Sequence, residues 1–238
     1  MKKESGRTDG GKASTRLAGR LPGRLMRRTF FEATPEDVAP RLLGKLLVHR
    51  RAGGILAGRI VEVEAYLGPH HGTPDPAAHS YRGPTPRNQV MFGPAGHAYL
   101  YFIYGRYYCM NVTCEQIGQA GCILVRALEP VAGMDRMARN RGLKPDARPC
   151  DLTGGPGRLC LALALTRPAH NGLDLLDRDS PLQLRDDGFA VSEVMMTTRI
   201  GIRHAVDLPL RFALPGHACV SGPKSFSASF TGKCIFVK

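Results

Sequence analysis

Between Arg59 and Asn111 the chain sets four histidines, a few carboxylates and a cluster of tyrosines among segments that otherwise read as apolar strands, and this restricts the fold more than any other feature. The segment RIVEVEAYLGP (59–69) alternates. As a strand it carries Glu62, Glu64 and Tyr66 on one face and Val61, Val63 and Ala65 on the other. The segment GHAYLYFIYGRYYCMNV (96–112) reads as a hairpin, His97–Tyr104 and Tyr107–Thr113, turning at Gly105-Arg106. Glycine supplies the permissive backbone that such a turn requires. A few convergent polar groups in apolar surroundings are what a pocket for a small molecule or a base needs.

Around this block the elements are short and mixed. Thr34-Pro35-Glu36-Asp37 has the marks of a helix start: a cap, a proline in the first turn and acids at the positive end of the dipole. That helix runs towards Leu43–Gly44. Leu46–His49 and Ile55–Tyr66 read as strands flanking Gly53-Gly54, Cys122–Leu128 as another strand, and Val131–Arg141 and Gly157–Leu165 as short helices. Residues 30–222 show neither an internal repeat nor a domain boundary, and 238 residues suffice for one domain with a real core.

The formal charge of +13 is uneven. Residues 1–28 hold nine basic and two acidic side chains and 223–238 add three lysines, which leaves +3 for 29–222. The expected organisation is a disordered basic arm over 1–28, a folded domain over 29–222 and an unstructured tail over 223–238. Such an arm raises nonspecific affinity for polyanions through counterion release but specifies no activity. No run approaches the ~18 apolar residues of a membrane span, and the basic N-terminus lacks the apolar stretch of a secretory signal. Seven cysteines without a CxxC pair point to a reducing compartment and away from a zinc site. Gly6 to Ala13 nearly matches a phosphate-binding loop, but Ala13 replaces the magnesium-holding hydroxyl and no strand precedes it.

The residues of the central block leave two readings open at each position. A carboxylate beside Tyr66 is either a general base facing a flat ligand or one of two glutamates turned to solvent on an edge strand. His79 follows a loop and reads as a surface or capping histidine when taken alone. Five of the seven tyrosines fall within residues 99–108. They form either an aromatic core pair or a stacking platform for nucleobases, which bind aromatic faces at ~1–3 kcal/mol each.

Several segments, in one order across about 30–222, resemble the alkyladenine (3-methyladenine) DNA glycosylase family of the non-helix-hairpin-helix type. They are LLGKLLV (42–48), GRIVEVEAYLGP (58–69), AAHSYRG (77–83), TPRN (85–88), MFGPAGHAYLYFIYGRYYCMNV (91–112), VRALEP (125–130), LTGGPGRLCLALAL (152–165), RIGI (199–202) and PLRF (209–212). The resemblance implies a single α+β domain with a curved antiparallel sheet, flanking helices and a projecting β-hairpin. It implies a monofunctional glycosylase of base excision repair that flips alkylated purines out of duplex DNA. Glu64 would activate the water and Arg126 would hold the water and the carboxylate. Tyr66, His79 and Tyr101 would enclose the base, Tyr104 would wedge into the duplex, and Asn111 would oppose the 2-amino group of guanine. It implies no cofactor and no metal. The partner would be double-stranded DNA carrying alkylated or deaminated purines, bound by a monomer away from membranes, in the bacterial cytoplasm or the eukaryotic nucleus. Two departures stand out: a loop between Tyr66 and His79 about four residues longer than the family pattern, and Pro84 where a basic residue is usual. The competing readings are a catalytically silent module that recognises damaged DNA and an RNA-binding protein that stacks single-stranded bases on tyrosine.

Overall fold

The computed structural model describes residues 21–222 and the backbone of 233–236. Among these described residues ten strands form one sheet whose pairings are all antiparallel. Its trunk is β3 (Gly54–Tyr66), the alternating segment of the sequence. One edge of β3 pairs with β6 (Gly121–Ala132) from Ala57 to Tyr66. The other edge is shared: β2 (Leu46–Arg51) takes residues 54–59, and β9 (Arg211–Ala213) takes Glu62 to Glu64. From β6 the sheet continues through β5 (Tyr107–Cys114) to β4 (Ala98–Ile103). From β2 it continues through β7 (Leu182–Asp186) to the two-residue β1 (Arg24–Leu25). The strands β8 (Glu193–Thr197) and β10 (Lys233–Phe236) extend the branch that begins at β9.

The pairing of β3 with β6 shifts register around Ile60, Glu62 and Val63. Ile60 and Val63, three residues apart, therefore both enter the main core, which a regular strand would forbid. The bulge preserves the face expected for Glu62, Glu64 and Tyr66. It does not leave them on an edge strand: both glutamates are 0% exposed on a strand paired along both sides. The solvent-facing reading of these carboxylates is corrected by the partners that β6 and β9 bring from elsewhere in the chain.

Among the described residues five α-helices flank the sheet: α1 (Pro35–Leu42), α2 (Met134–Arg141), α3 (Pro149–Thr153), α4 (Pro156–Ala162) and α5 (Arg167–His170). Helix α1 begins where Thr34 and Pro35 predict, and the Thr34 carbonyl accepts from the amides of Asp37 and Val38. The Thr34 hydroxyl, however, bonds the Asp37 carboxylate rather than capping the backbone. Val38, Ala39 and Leu42 pack into the same core as Leu159, Ala162 and Leu163 of the α4 region.

Both ends of the domain reach beyond the expected limits. Residues 21–28 do not behave as an arm: Arg24–Leu25 pairs with β7, Met26 is 8% exposed, and Arg28 bonds the Ala95 carbonyl and the Asp174 carboxylate. Lys233–Phe236 forms a strand on β8 inside the segment expected to be an unstructured tail. A two-residue strand carries too little alternation to read, so the basic composition of the arm concealed its anchoring end. The rest of the expected arm (1–20) and of the tail lies outside the described residues. Relative to a chain that starts at residue 21, one that starts at residue 29 loses the burial of Met26, worth ~1.5–3 kcal/mol. Its free energy of unfolding in urea is expected to fall by about that amount.

Candidate active site

All seven residues singled out from the sequence line one cavity of about 450 Å³: Glu64, Arg126, Tyr66, His79, Tyr101, Tyr104 and Asn111. Several separate parts of the chain build it. The upper end of β3 supplies Glu64 and Tyr66, the loop 76–79 His79, β4 and its turn the tyrosines, β5 and β6 Asn111 and Arg126, and residues 200–204 the opposite rim.

The floor is a buried network of charge. One oxygen of Glu64, Oε1, accepts from the Ile200 amide at 2.7 Å and faces Arg126 Nη1 at 3.1 Å. The other, Oε2, accepts from the Tyr66 hydroxyl at 3.0 Å. Arg126 also bonds Glu62 Oε1 through Nε at 2.9 Å. Glu62 receives Arg211 Nε at 2.7 Å, together with the Ser221 amide at 2.6 Å and its hydroxyl at 2.9 Å. Burial opposes the charge of Arg126, but Glu64 and Glu62 outweigh it and hold the guanidinium more firmly protonated than usual. The two carboxylates thus face two arginines, and Glu62, away from the cavity lining, keeps Arg126 charged and fixed beside Glu64.

A second ion pair sets the wall. Asp75 is 1% exposed and takes both Arg199 nitrogens, Nη1 at 2.7 Å and Nη2 at 2.8 Å. Its carboxylate also caps the Leu67 and Ala77 amides. Arg199 reaches the Ala65 carbonyl and lies over the Tyr66 ring, 4.6 Å from its centroid. The long loop after Tyr66 is therefore pinned near its middle, and His79 still arrives at the cavity. There its Nδ1 lies 2.9 Å from the Tyr99 hydroxyl, and its ring centre is 4.5 Å from that of Tyr101.

The aromatic groups are neutral at pH 7. Burial and then the charge of Glu64 push the Tyr66 phenol far above its ordinary pKa. Burial does the same for Tyr101 and raises Tyr99 to about 12. His79 stands at the mouth with part of its ring exposed, yet the surrounding protein, followed by Arg87, lowers its pKa. Asn111 is 3% exposed and fixed on both sides: its Nδ2 donates to the Tyr99 carbonyl at 3.1 Å and its Oδ1 lies 3.8 Å from Cys122 Sγ.

Tyr104 is the outlier. It sits at the tip of the hairpin, one residue earlier in the turn than expected, with φ 52° followed by Gly105 at φ 66°. The Arg106 amide closes the turn onto the Ile103 carbonyl. Two successive positive φ values mark the turn that matches hairpin twist, a conformation unfavourable by ~1–2 kcal/mol for a residue with a side chain. The Tyr104 side chain is nevertheless 79% exposed.

Sequence reasoning gave no role to Tyr99, Glu62, Asp75, Arg199 or the Ile200 amide. Tyr99 stood within the tyrosine cluster and Arg199-Ile200 within RIGI, so both were visible as segments. Nothing local in the chain marks Asp75 as the partner of Arg199, 124 residues away.

Because Glu62 is fully buried, Glu62→Gln leaves Arg211 and Arg126 short of countercharge. Removing one member of a buried ion pair costs ~3–5 kcal/mol. Glu64→Gln leaves Arg126 paired to Glu62 and is expected to cost less. Urea unfolding of the two variants beside the parent protein measures both, and the larger loss is expected for Glu62→Gln.

The family described as methylpurine-DNA glycosylase matches residues 29–218 of the chain. A protein of Koribacter versatilis named "Putative 3-methyladenine DNA glycosylase" is 53% identical over 197 residues, which cover 83% of this chain and 93% of the relative. Proteins of the same name from Burkholderia lata and Methanoculleus marisnigri are 46% and 51% identical, over 87% and 81% of this chain and 95% and 96% of their own lengths.

Proposed function

The chain belongs to the methylpurine-DNA glycosylase family, and from that membership we propose that it flips alkylated purines, 3-methyladenine among them, out of duplex DNA and hydrolyses the N-glycosidic bond with a water activated by Glu64. Membership alone makes it a DNA glycosylase, a hydrolase acting on that bond. The observation that carries the finer reading is the Glu64 carboxylate in the cavity wall beneath aromatic rings, with Arg126, Tyr66 and the Ile200 amide fixing its direction.

The bond to be cut is inaccessible inside stacked DNA, so the target nucleotide must leave the helix. A cavity of about 450 Å³ suits one purine. Tyr66, Tyr101 and His79 stack on or edge against the flipped base. As the bond breaks, positive charge develops on the sugar and the Glu64 carboxylate both stabilises it and takes a proton from the attacking water. Arg126 orients the carboxylate and the water. No lysine is matched to a catalytic role, so water is the nucleophile, the free base is released and the abasic sugar stays in an unbroken strand.

Neutral walls suit a cationic alkylated base. Such a base is drawn to electron-rich tyrosine faces and already has the charge of a good leaving group. A protonated His79 would repel it, and the depressed pKa of His79 removes that obstacle at pH 7. Where the Tyr99 hydroxyl donates to His79 Nδ1, the other ring nitrogen carries a hydrogen to offer a neutral base such as hypoxanthine. One chain supplies every residue of the cavity lining, so this reading needs no second subunit. Release of free purine from methylated duplex DNA, with no covalent enzyme–DNA adduct trapped by borohydride, is the outcome that supports this reading. Tight lesion binding without release would instead favour a silent recognition module.

The exposed, unfavourably turned Tyr104 is the wedge that fills the gap left by the flipped nucleotide. Tyr104→Ala is expected to slow excision from duplex DNA by at least ~10-fold, within the few kcal/mol that unstacking costs. Excision from single strands should change little. Equal losses on both substrates would remove the wedge role.

Asn111 opposes the 2-amino group of guanine, with its amide held in place by Tyr99 and Cys122. Asn111→Ser is expected to raise excision of 7-methylguanine relative to 3-methyladenine, because trimming the clash admits the bulkier edge. The ratio of the two bases released from one methylated DNA sample reads this directly.

A further inference from the structure

Cys150 and Cys219 are 69 residues apart in sequence, and their sulfurs approach to 2.9 Å. Cys150 lies in the first turn of α3, and Cys219 lies in the strap that follows β9. Both thiols are free. The strap is laid closely on α3: a Cβ on Gly154 would come within 2.6 Å of the Cys150 carbonyl oxygen and 3.3 Å of the Cys219 carbonyl oxygen. Only glycine permits that approach. Val61, Ala127 and Leu214 close the apolar side of the pair.

The two sulfurs differ in access. Cys219 is 3% exposed, and burial followed by its bond to Cys150 pushes its thiol well above the ordinary pKa. Cys150 is only half-buried and meets solvent. Among the described residues, Cys109, Cys114, Cys122 and Cys160 are all 3% exposed or less and offer no such entry to a dissolved oxidant.

We infer that Cys150 and Cys219 are a redox modification site, converted by a hydroperoxide into an intramolecular disulfide. The Cys150 thiolate attacks one peroxide oxygen, the O–O bond breaks, and hydroxide leaves as water, which makes a sulfenic acid at Cys150. The Cys219 sulfur then attacks Cys150 Sγ, the S–O bond breaks, and the hydroxyl leaves with the Cys219 proton as a second water. Two thiols have each lost one electron, and the peroxide has been reduced by two. A dithiol reverses the bond by exchange.

The position gives the bond a consequence. Cys219 is two residues from Ser221, whose amide and hydroxyl hold Glu62. The disulfide ties that strap to α3 and closes a long loop, which constrains the unfolded chain strongly. The sulfurs already touch, so the strap moves little. The contacts of Glu64 come from Arg126, Tyr66 and Ile200, none of them on the strap. Oxidation therefore locks the fold while leaving the cavity as it is.

The full-length protein is treated with stoichiometric hydrogen peroxide, digested without reduction and mapped by mass spectrometry, with Tm measured before and after dithiothreitol. The expected result is a Cys150–Cys219 linked peptide pair lacking two hydrogens and a rise in Tm of about 10 °C that dithiothreitol reverses. Excision is expected to stay within twofold of the untreated rate. Cys150→Ala, at the half-buried position, should show neither the link nor the rise, and Cys219→Ala should stop at the sulfenic or sulfinic acid of Cys150. Sulfinic acid at Cys150 of the parent protein with Cys219 still free overturns the proposal. A link between other cysteines, or a Tm response equal in Cys150→Ala, overturns it as well.

Discussion

Two carboxylates sit fully buried, one residue apart in alternation, on the central strand of the sheet, and the rest of the domain is arranged to make that tolerable. A charge removed from water must be paired and hydrogen-bonded. Here the compensation arrives from four distant places: Arg126 on β6, Arg211 on β9, the Ile200 amide and Ser221. Each needs its own element to dock against β3, so fold and site are parts of one requirement. Alternation along β3 puts both glutamates on one face, and the branch at β9 gives them a second arginine. Glu62 saturates its oxygens with protein donors and serves as the anchor. Glu64 leaves one side of its carboxylate turned to the cavity.

Above this charged floor the cavity is lined by groups that stay neutral. Burial raises the phenols and lowers the imidazole of His79, and among the described residues that line the cavity the one carboxylate is Glu64 and the guanidinium groups are those of Arg126 and Arg203. That division favours a flat ligand that brings its own positive charge and a reaction whose transition state gains more. The Asp75–Arg199 pair has a different task. It ties the long loop, the last residues of β3 and the rim together in one clamp.

The sequence made the face of β3, the tyrosine hairpin and the start of α1 legible because each rests on local signals: alternation, a glycine turn, a proline in the first helical turn. Burial of Glu62 and Glu64 was not legible, since whether a strand is central or at an edge depends on partners about 60 and 150 residues away. The turn was misplaced by one residue because Gly105 marks positive φ but does not reveal that Tyr104 shares it. The short strands β1 and β7 to β10 lacked enough residues for a period to show. The seven site residues came together as a set through the ordered resemblance, whereas Asp75, Arg199 and Ser221 needed the coordinates.

The central claim is that Glu64 supplies chemistry and that the groups around it supply position. The most direct measurement is single-turnover release of purine from methylated duplex DNA by Glu64→Gln at saturating enzyme, with lesion affinity measured on the same preparation. The account predicts a rate lower by at least ~10²-fold, with affinity close to that of the parent protein. A folded Glu64→Gln enzyme that releases base at near the parental rate would contradict it.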